Sequence, residues 1–168
     1  MDNLQTSQRL TPVWFQIAGL AAWLLLCFAA AGVGSSVTIP QIPTWYAEIN
    51  KPSFNPPNWI FGPVWTALYL MMAFSVWLVW MKDGWLDAPG ALGVFCFQLL
   101  LNVAWSVIFF GLENPTAAAI EIVILWAAIG ATIALFWRHS RIAALLLTPY
   151  LAWVSFAAVL NFSIMALN

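Results

Sequence analysis

The sequence predicts an all-α integral membrane protein. It reads as a single domain over 1–168, a bundle of five transmembrane helices with a long loop between the first two. Three observations predict this. Apolar residues make up 64% of the chain and charged residues 7%, and the mean hydropathy is +0.90; a soluble domain has about 45–50% and about 25%. Five segments, 13–34, 59–81, 90–112, 115–137 and 142–166, each supply the roughly 20 mainly apolar residues that cross a hydrocarbon core. Runs such as Ala22-Trp23-Leu24-Leu25-Leu26-Cys27-Phe28 lack the alternation that barrel strands need. The net charge of −1 and the absence of a basic run argue against nucleic acid.

The first segment ends in Ala29-Ala30-Ala31-Gly32, which resembles a signal-peptide cleavage region. The tail before it carries one Arg and one Asp instead of a basic stretch, and the apolar run is long, so a retained helix is expected. The next connection, 35–58, is unlike the others. It holds Pro40, Pro43, Pro52, Pro56 and Pro57 together with Trp45, Tyr46 and Phe54. A connection of this length in a compact domain is usually functional. Two readings stand: a lid over the mouth of the bundle, which is favoured, or an aromatic anchor lying on the membrane surface.

The remaining connections are short. Asp83-Gly84 and Ala88-Pro89-Gly90 separate the second and third segments. Glu113-Asn114-Pro115-Thr116 is a stop and restart, with Asn114 suited to an N-cap and Pro115 to the first helical position. Arg138-His139-Ser140-Arg141 joins the fourth and fifth. Short joins make sequential helices antiparallel neighbours. Arg9, Lys82, Arg138 and Arg141 then fall on one side and Lys51 on the other. By the positive-inside rule the N-terminus is cytoplasmic, and the 35–58 loop and the C-terminus face outward.

Groups for conventional catalysis are sparse. His139 reads as a solvated loop residue, and Cys27 and Cys96 as packing residues. No His, Cys or carboxylate pair has metal-ligand spacing, so neither a metal nor a tightly bound cofactor is expected. Glu121 either snorkels outward or faces the interior as a functional group. The third helix carries Gln98, Asn102 and Ser106 at four-residue intervals, with Trp105 beside them. The fifth places Tyr150, Trp153 and Asn161 on one face, with Ala157 leaving room, and the second offers Trp65 and Tyr69. Polar side chains in lipid-embedded helices turn inward. They form either interhelical hydrogen-bond glue or the polar edge of an aromatic ligand cavity.

Several of these stretches occur together in one family. Trp45-Tyr46 through Asn50-Lys51-Pro52 to Pro56-Pro57, then Phe61-x-Pro63-Val64-Trp65-Thr66-x-Leu68-Tyr69, resembles the TspO/MBR family of translocator and tryptophan-rich sensory proteins. So do Gln98-Leu99-x-x-Asn102-x-x-Trp105-Ser106 and Pro149-Tyr150-x-x-Trp153-x-x-Phe156-Ala157. The resemblance implies a homodimer in a bacterial membrane, surrounded by lipid and binding tetrapyrroles, protoporphyrin IX or haem. It matches Trp65 and Trp153 to paired pocket tryptophans and Tyr46, Asn102 and Ser106 to pocket or lid positions. With the residue reading, the expected ligand set is Tyr46, Trp65, Tyr69, Asn102, Trp105, Ser106, Tyr150, Trp153 and Ala157, and the expected lid is Trp45, Tyr46, Lys51 and Pro52. Three roles remain open: a sensor or regulator, a transporter of porphyrin or lipid, and light-dependent porphyrin breakdown with Trp65 and Trp153 as photoreactive groups and no conventional catalytic residue. The cholesterol motif of animal members needs a Tyr and then a basic residue; here Phe162 and the residues to Asn168 supply neither, which counts against cholesterol.

Overall fold

The computed structural model describes residues 12–168, so Arg9 lies outside the described residues. Five stretches are long and apolar enough to cross a membrane, 13–41, 58–87, 89–111, 115–139 and 141–167, and no strand occurs among the described residues. The chain is a multi-pass helical membrane protein.

The first helix, α1 (Val13–Gln41), runs seven residues past its expected end at 34. Nothing in Ser35-Ser36-Val37-Thr38-Ile39 breaks a helix, and Pro40 falls in the last turn, where its missing N–H and its ring end propagation. The connection is correspondingly shorter and partly ordered into a one-turn helix, α2 (Trp45–Glu48). A 3-10 turn over Asn58–Ile60 leads into α3 (Phe61–Asp87). That helix breaks at Gly84, whose φ of 65° is the left-handed conformation that only glycine adopts cheaply.

The third crossing, α4 (Pro89–Ser106), ends in a π-helical turn at Val107–Gly111. The reversal into α5 (Pro115–His139) follows the expected chemistry: Asn114 Oδ1 accepts the Ala117 N–H at 2.9 Å, with Pro115 in the first turn. The last crossing is two helices, α6 (Arg141–Leu146) and α7 (Thr148–Leu167), interrupted at Leu147. Pro149 explains the interruption, because it has no N–H to give the preceding turn.

The core fills the half of the bundle away from α2. Phe95 and Phe136 stack at 5.9 Å, fully buried, with Met72, Leu92 and Ile129 also in the interior. Trp23 meets Phe95 edge-on at 6.0 Å. Gly19 lets α1 approach α3 so closely that the Trp80 ring occupies the space a Cβ would need. Cys27 is fully buried and Cys96 half-buried, and both are free thiols. At this end the turns are tied together: Lys82 Nζ donates to the His139 carbonyl, and His139 Nδ1 pairs with Asp83 at 2.7 Å. His139 is therefore a half-buried hydrogen-bonding partner of Asp83, a correction to its reading as a solvated loop residue.

A smaller apolar cluster lies at the other end, under α2. Tyr46, Phe109, Phe110, Leu160 and Ile164 make it up. It joins the connection to the tops of α4 and α7.

Candidate ligand-binding site

A cavity of about 570 Å³ opens between α1, α3 and α4, beneath the connection. Pockets for small molecules usually span about 300–1,000 Å³, mostly apolar with a few polar groups. Aromatic rings make its walls: Trp65 and Tyr69 from α3, Trp105 from α4, and Phe61 at the start of α3. Polar side chains are fewer: Ser35 and Thr38 from α1, Asn58 from the connection, Thr66 from α3, and Asn102 and Ser106 from α4. Five expected ligand residues, Trp65, Tyr69, Asn102, Trp105 and Ser106, thus come together on one surface. The four-residue repeat of Asn102 and Ser106 places them on the same face of α4.

The polar wall is held from behind. Tyr69 Oη donates to Asn102 Oδ1, and Asn102 Nδ2 donates to Tyr150 Oη at 3.0 Å. Three helices meet at this one amide. The Trp65 ring lies 5.6 Å from Tyr69 and 6.1 Å from Tyr150. A second tie fixes Trp105: its Nε1 donates to Asn161 Oδ1 at 3.0 Å, and Asn161 Nδ2 donates to the Pro115 carbonyl at 2.8 Å. The aromatic walls are thereby preorganised before any ligand arrives.

The other expected site residues stand elsewhere. Tyr150 is fully buried and supports the wall instead of forming it. Trp153 packs edge-on against Phe61 at 5.9 Å and is not on the cavity surface. Tyr46 and Ala157 line a separate space of about 30 Å³ between α4 and α7, too small for a ligand of any size. Trp105 borders both spaces.

The lid residues are likewise placed away from the cavity. Trp45 meets Phe109 at 5.5 Å, and Tyr46 meets Phe110 at 5.5 Å. Burial raises the Tyr46 phenol above its usual pKa, partly offset by its hydrogen bond to Asn55 Oδ1 at 2.8 Å. Lys51 does not reach for a ligand. Its ammonium donates to the carbonyls of Tyr46 and Ile49 and sits 4.8 Å above the Tyr46 ring, closing the end of α2. The Pro52 carbonyl accepts the Asn55 N–H in the turn that follows. Asn50 and Asn168 exchange hydrogen bonds of 3.0 Å, backbone of one to side chain of the other, so the connection is latched to the end of α7.

The cavity roof is formed by residues the sequence reading passed over: Ile42 and the pair Asn58 and Trp59, with Thr38 and Ile39 on the last turns of α1. Ending α1 at 34 hid them. Their signal was Pro40, the first true breaker after Gly34. Glu121, for which two readings stood, is 7% exposed and points into the bundle, so it does not snorkel.

A family model described as TspO/MBR matches residues 23–167. A tryptophan-rich protein TspO of Chlorobaculum tepidum is 45% identical over 155 residues, 91% of this chain and 98% of that protein. One from Archaeoglobus fulgidus is 43% identical over 152 residues, 90% and 98% of the two chains. The translocator protein of Homo sapiens is 37% identical over 158 residues, 92% and 91%. With the five-helix bundle and the aromatic site, these similarities lead to one assignment: the chain belongs to the TspO/MBR family.

Proposed function

We propose that this chain is a membrane sensor or carrier for tetrapyrroles, with protoporphyrin IX or haem as ligand, acting as a homodimer. The observation that carries the reading is the cavity between α1, α3 and α4. It is large enough for a flat macrocycle, rings make much of its wall, and a few polar groups from α1, α3, α4 and the connection border it. Flat aromatic faces stack on a planar conjugated ligand, and Asn102, Ser106 and Thr66 offer hydrogen bonds to its polar edge. Sensory and translocator names among the relatives agree with a binding role.

Protoporphyrin IX should quench the intrinsic tryptophan fluorescence of the protein in bilayer nanodiscs, in the dark, with saturation at micromolar concentration. Quenching that never saturates would refute a defined site. Illumination of the same sample distinguishes binding from breakdown. Loss of the porphyrin absorbance in light, beyond a protein-free control, favours the photochemical reading, because Trp65 lies on the cavity wall.

We further propose that the end carrying Lys51 faces away from the cytoplasm, since Lys82, Arg138 and Arg141 lie at the other end. A cysteine placed at Ser53, in a chain lacking Cys27 and Cys96, should react with a membrane-impermeant thiol reagent in intact cells. Reaction only after lysis would reverse the orientation.

A further inference from the structure

The interior holds one acidic side chain that the cavity does not use. Glu121, in the second turn of α5, is 7% exposed, and neither carboxyl oxygen has a hydrogen-bond partner. Gln98 of α4 is 1% exposed, and both its amide atoms are also unpartnered. Neither residue lines the cavity.

The helical rise sets the two at about the same depth. Asn161 bonds both Trp105 of α4 and the carbonyl of Pro115 of α5, which sets those residues level. Gln98 is seven residues below Trp105, about 10 Å along the axis, and Glu121 is six below Pro115, about 9 Å. The helices are antiparallel and form the most extensively packed pair in the bundle. Gln98 also stands one turn from Asn102, on the same buried face.

Among the described residues no positive charge is near. Lys51 is bonded within the connection, Lys82 and His139 are joined at the opposite end, and Arg138 and Arg141 flank that same turn. The titratable groups near Glu121 on other helices are neutral hydroxyls and a thiol: Tyr150 from α7 is in electrostatic range, and Tyr69 from α3 and Cys27 from α1 surround the same phenol. From α4, Gln98 and Asn102 are the buried polar residues, and the Cys96 thiol is in electrostatic range of Cys27. A carboxylate in a dry helical interior with no counter-charge is strongly unfavourable, and an ionisable residue there marks a functional position.

We propose that Gln98 and Glu121 form an interior site for one small positive charge, separate from the ligand cavity. A hydrogen ion fits best. Carried on one Glu121 oxygen, it is donated to Gln98 Oε1, while Gln98 Nε2 donates to the other Glu121 oxygen. Rotation about the side-chain bonds of both residues forms this pair, and all four unpartnered atoms are then used. A monovalent metal ion would be held by the Glu121 carboxylate and Gln98 Oε1, leaving Gln98 Nε2 without an acceptor. The single charge is common to both, and the test distinguishes the sources.

The test uses the whole protein in phosphatidylcholine nanodiscs, in choline chloride without sodium. Infrared spectra should contain the carbonyl stretch of a protonated carboxylic acid at neutral pH, missing in Glu121→Gln and displaced in Gln98→Leu. The thermal midpoint of the wild type should fall by about 4 °C or more from neutral to alkaline pH, relative to Glu121→Gln, which retains Tyr69, Tyr150 and Cys27 and so subtracts their titration. If the acid band is missing but sodium chloride raises the midpoint over choline chloride, the charge is a metal ion and the site stands. If there is no acid band, no sodium effect and parallel pH profiles for wild type and Glu121→Gln, the proposal is wrong. The infrared and sodium measurements use the wild type, so they decide even if Glu121→Gln fails to fold.

Discussion

Trp65→Ala is expected to weaken protoporphyrin IX binding by about tenfold or more, while Trp153→Ala weakens it by only a few-fold. The two tryptophans are matched as a pair by family resemblance, but their surroundings differ. Trp65 presents its ring to the cavity between Tyr69 and the buried Tyr150. Removing it takes away a wall and leaves a hole where the ligand would stack. A ring lost from the centre of a packed site typically costs at least about 2 kcal/mol, which exceeds tenfold in Kd. Trp153 acts through Phe61, which it holds edge-on at 5.9 Å. Its loss loosens one wall residue without removing any. Fluorescence titration of both variants checks this, with absorbance of the bound porphyrin as a second readout because each variant removes a fluorophore. Equal losses would mean that the ligand sits deeper, towards α7, and that the cavity described is not its site.

Asn102→Leu is expected to destabilise the fold by about 2 kcal/mol, a larger effect than removing either tyrosine hydroxyl alone. The single amide receives a hydrogen bond from Tyr69 and gives one to Tyr150. Leucine has the same branched skeleton and is no smaller, so no cavity forms, but two phenol groups lose their partner. Interhelical hydrogen bonds in membrane proteins average only about 0.6 kcal/mol in double-mutant cycles. The larger estimate applies because the hydroxyls stay behind in a dry core, where an unsatisfied group costs about 1–3 kcal/mol. Tyr150 is fully buried and Tyr69 nearly so. The triple variant Asn102→Leu, Tyr69→Phe, Tyr150→Phe should recover most of the loss, since it removes the orphaned hydroxyls as well. Thermal unfolding in detergent gives the comparison. No recovery in the triple variant would show that the amide matters through shape and not through its hydrogen bonds.

The number of crossings was readable because each apolar run reaches the length a bilayer demands and is followed by a breaker or a polar turn, such as Arg138-His139-Ser140-Arg141. The stripe of Gln98, Asn102 and Ser106 was readable because a four-residue repeat can face only one way on a helix. What was not readable depends on contacts between distant parts of the chain. The end of α1 was set too early because Gly34 with Ser35 and Ser36 looks like a break, yet lipid-embedded backbone has no water to bond to and stays helical until Pro40 stops it. The position of Trp45 and Tyr46 depends on Phe109 and Phe110, which lie some sixty residues away in sequence and gather at a π-helical turn that no local pattern announced. Lys51 could not be recognised as the internal clasp of α2 while α2 itself was hidden in a segment read as loop. Trp153 shares the helix face of Tyr150, but neither reaches the cavity: Phe61 stands against Trp153, and Tyr150 lies behind Trp65.

Every residue around the cavity comes from α1, α3, α4 with its π-helical turn, or the connection, and none from α5, α6 or α7. Of the five crossings, α1 is the least buried. Its exposed outer face is apolar enough to meet acyl chains, and its inner face is one side of the cavity. Lipid packing therefore pushes directly on a wall of the site. A thicker or more laterally compressed membrane changes how α1 leans on α3, and with it the room left for a guest molecule. On the proposed binding role, ligand affinity is expected to be a joint property of the polypeptide and the bilayer, so that a dissociation constant measured in micelles belongs to a different system from one measured in a membrane.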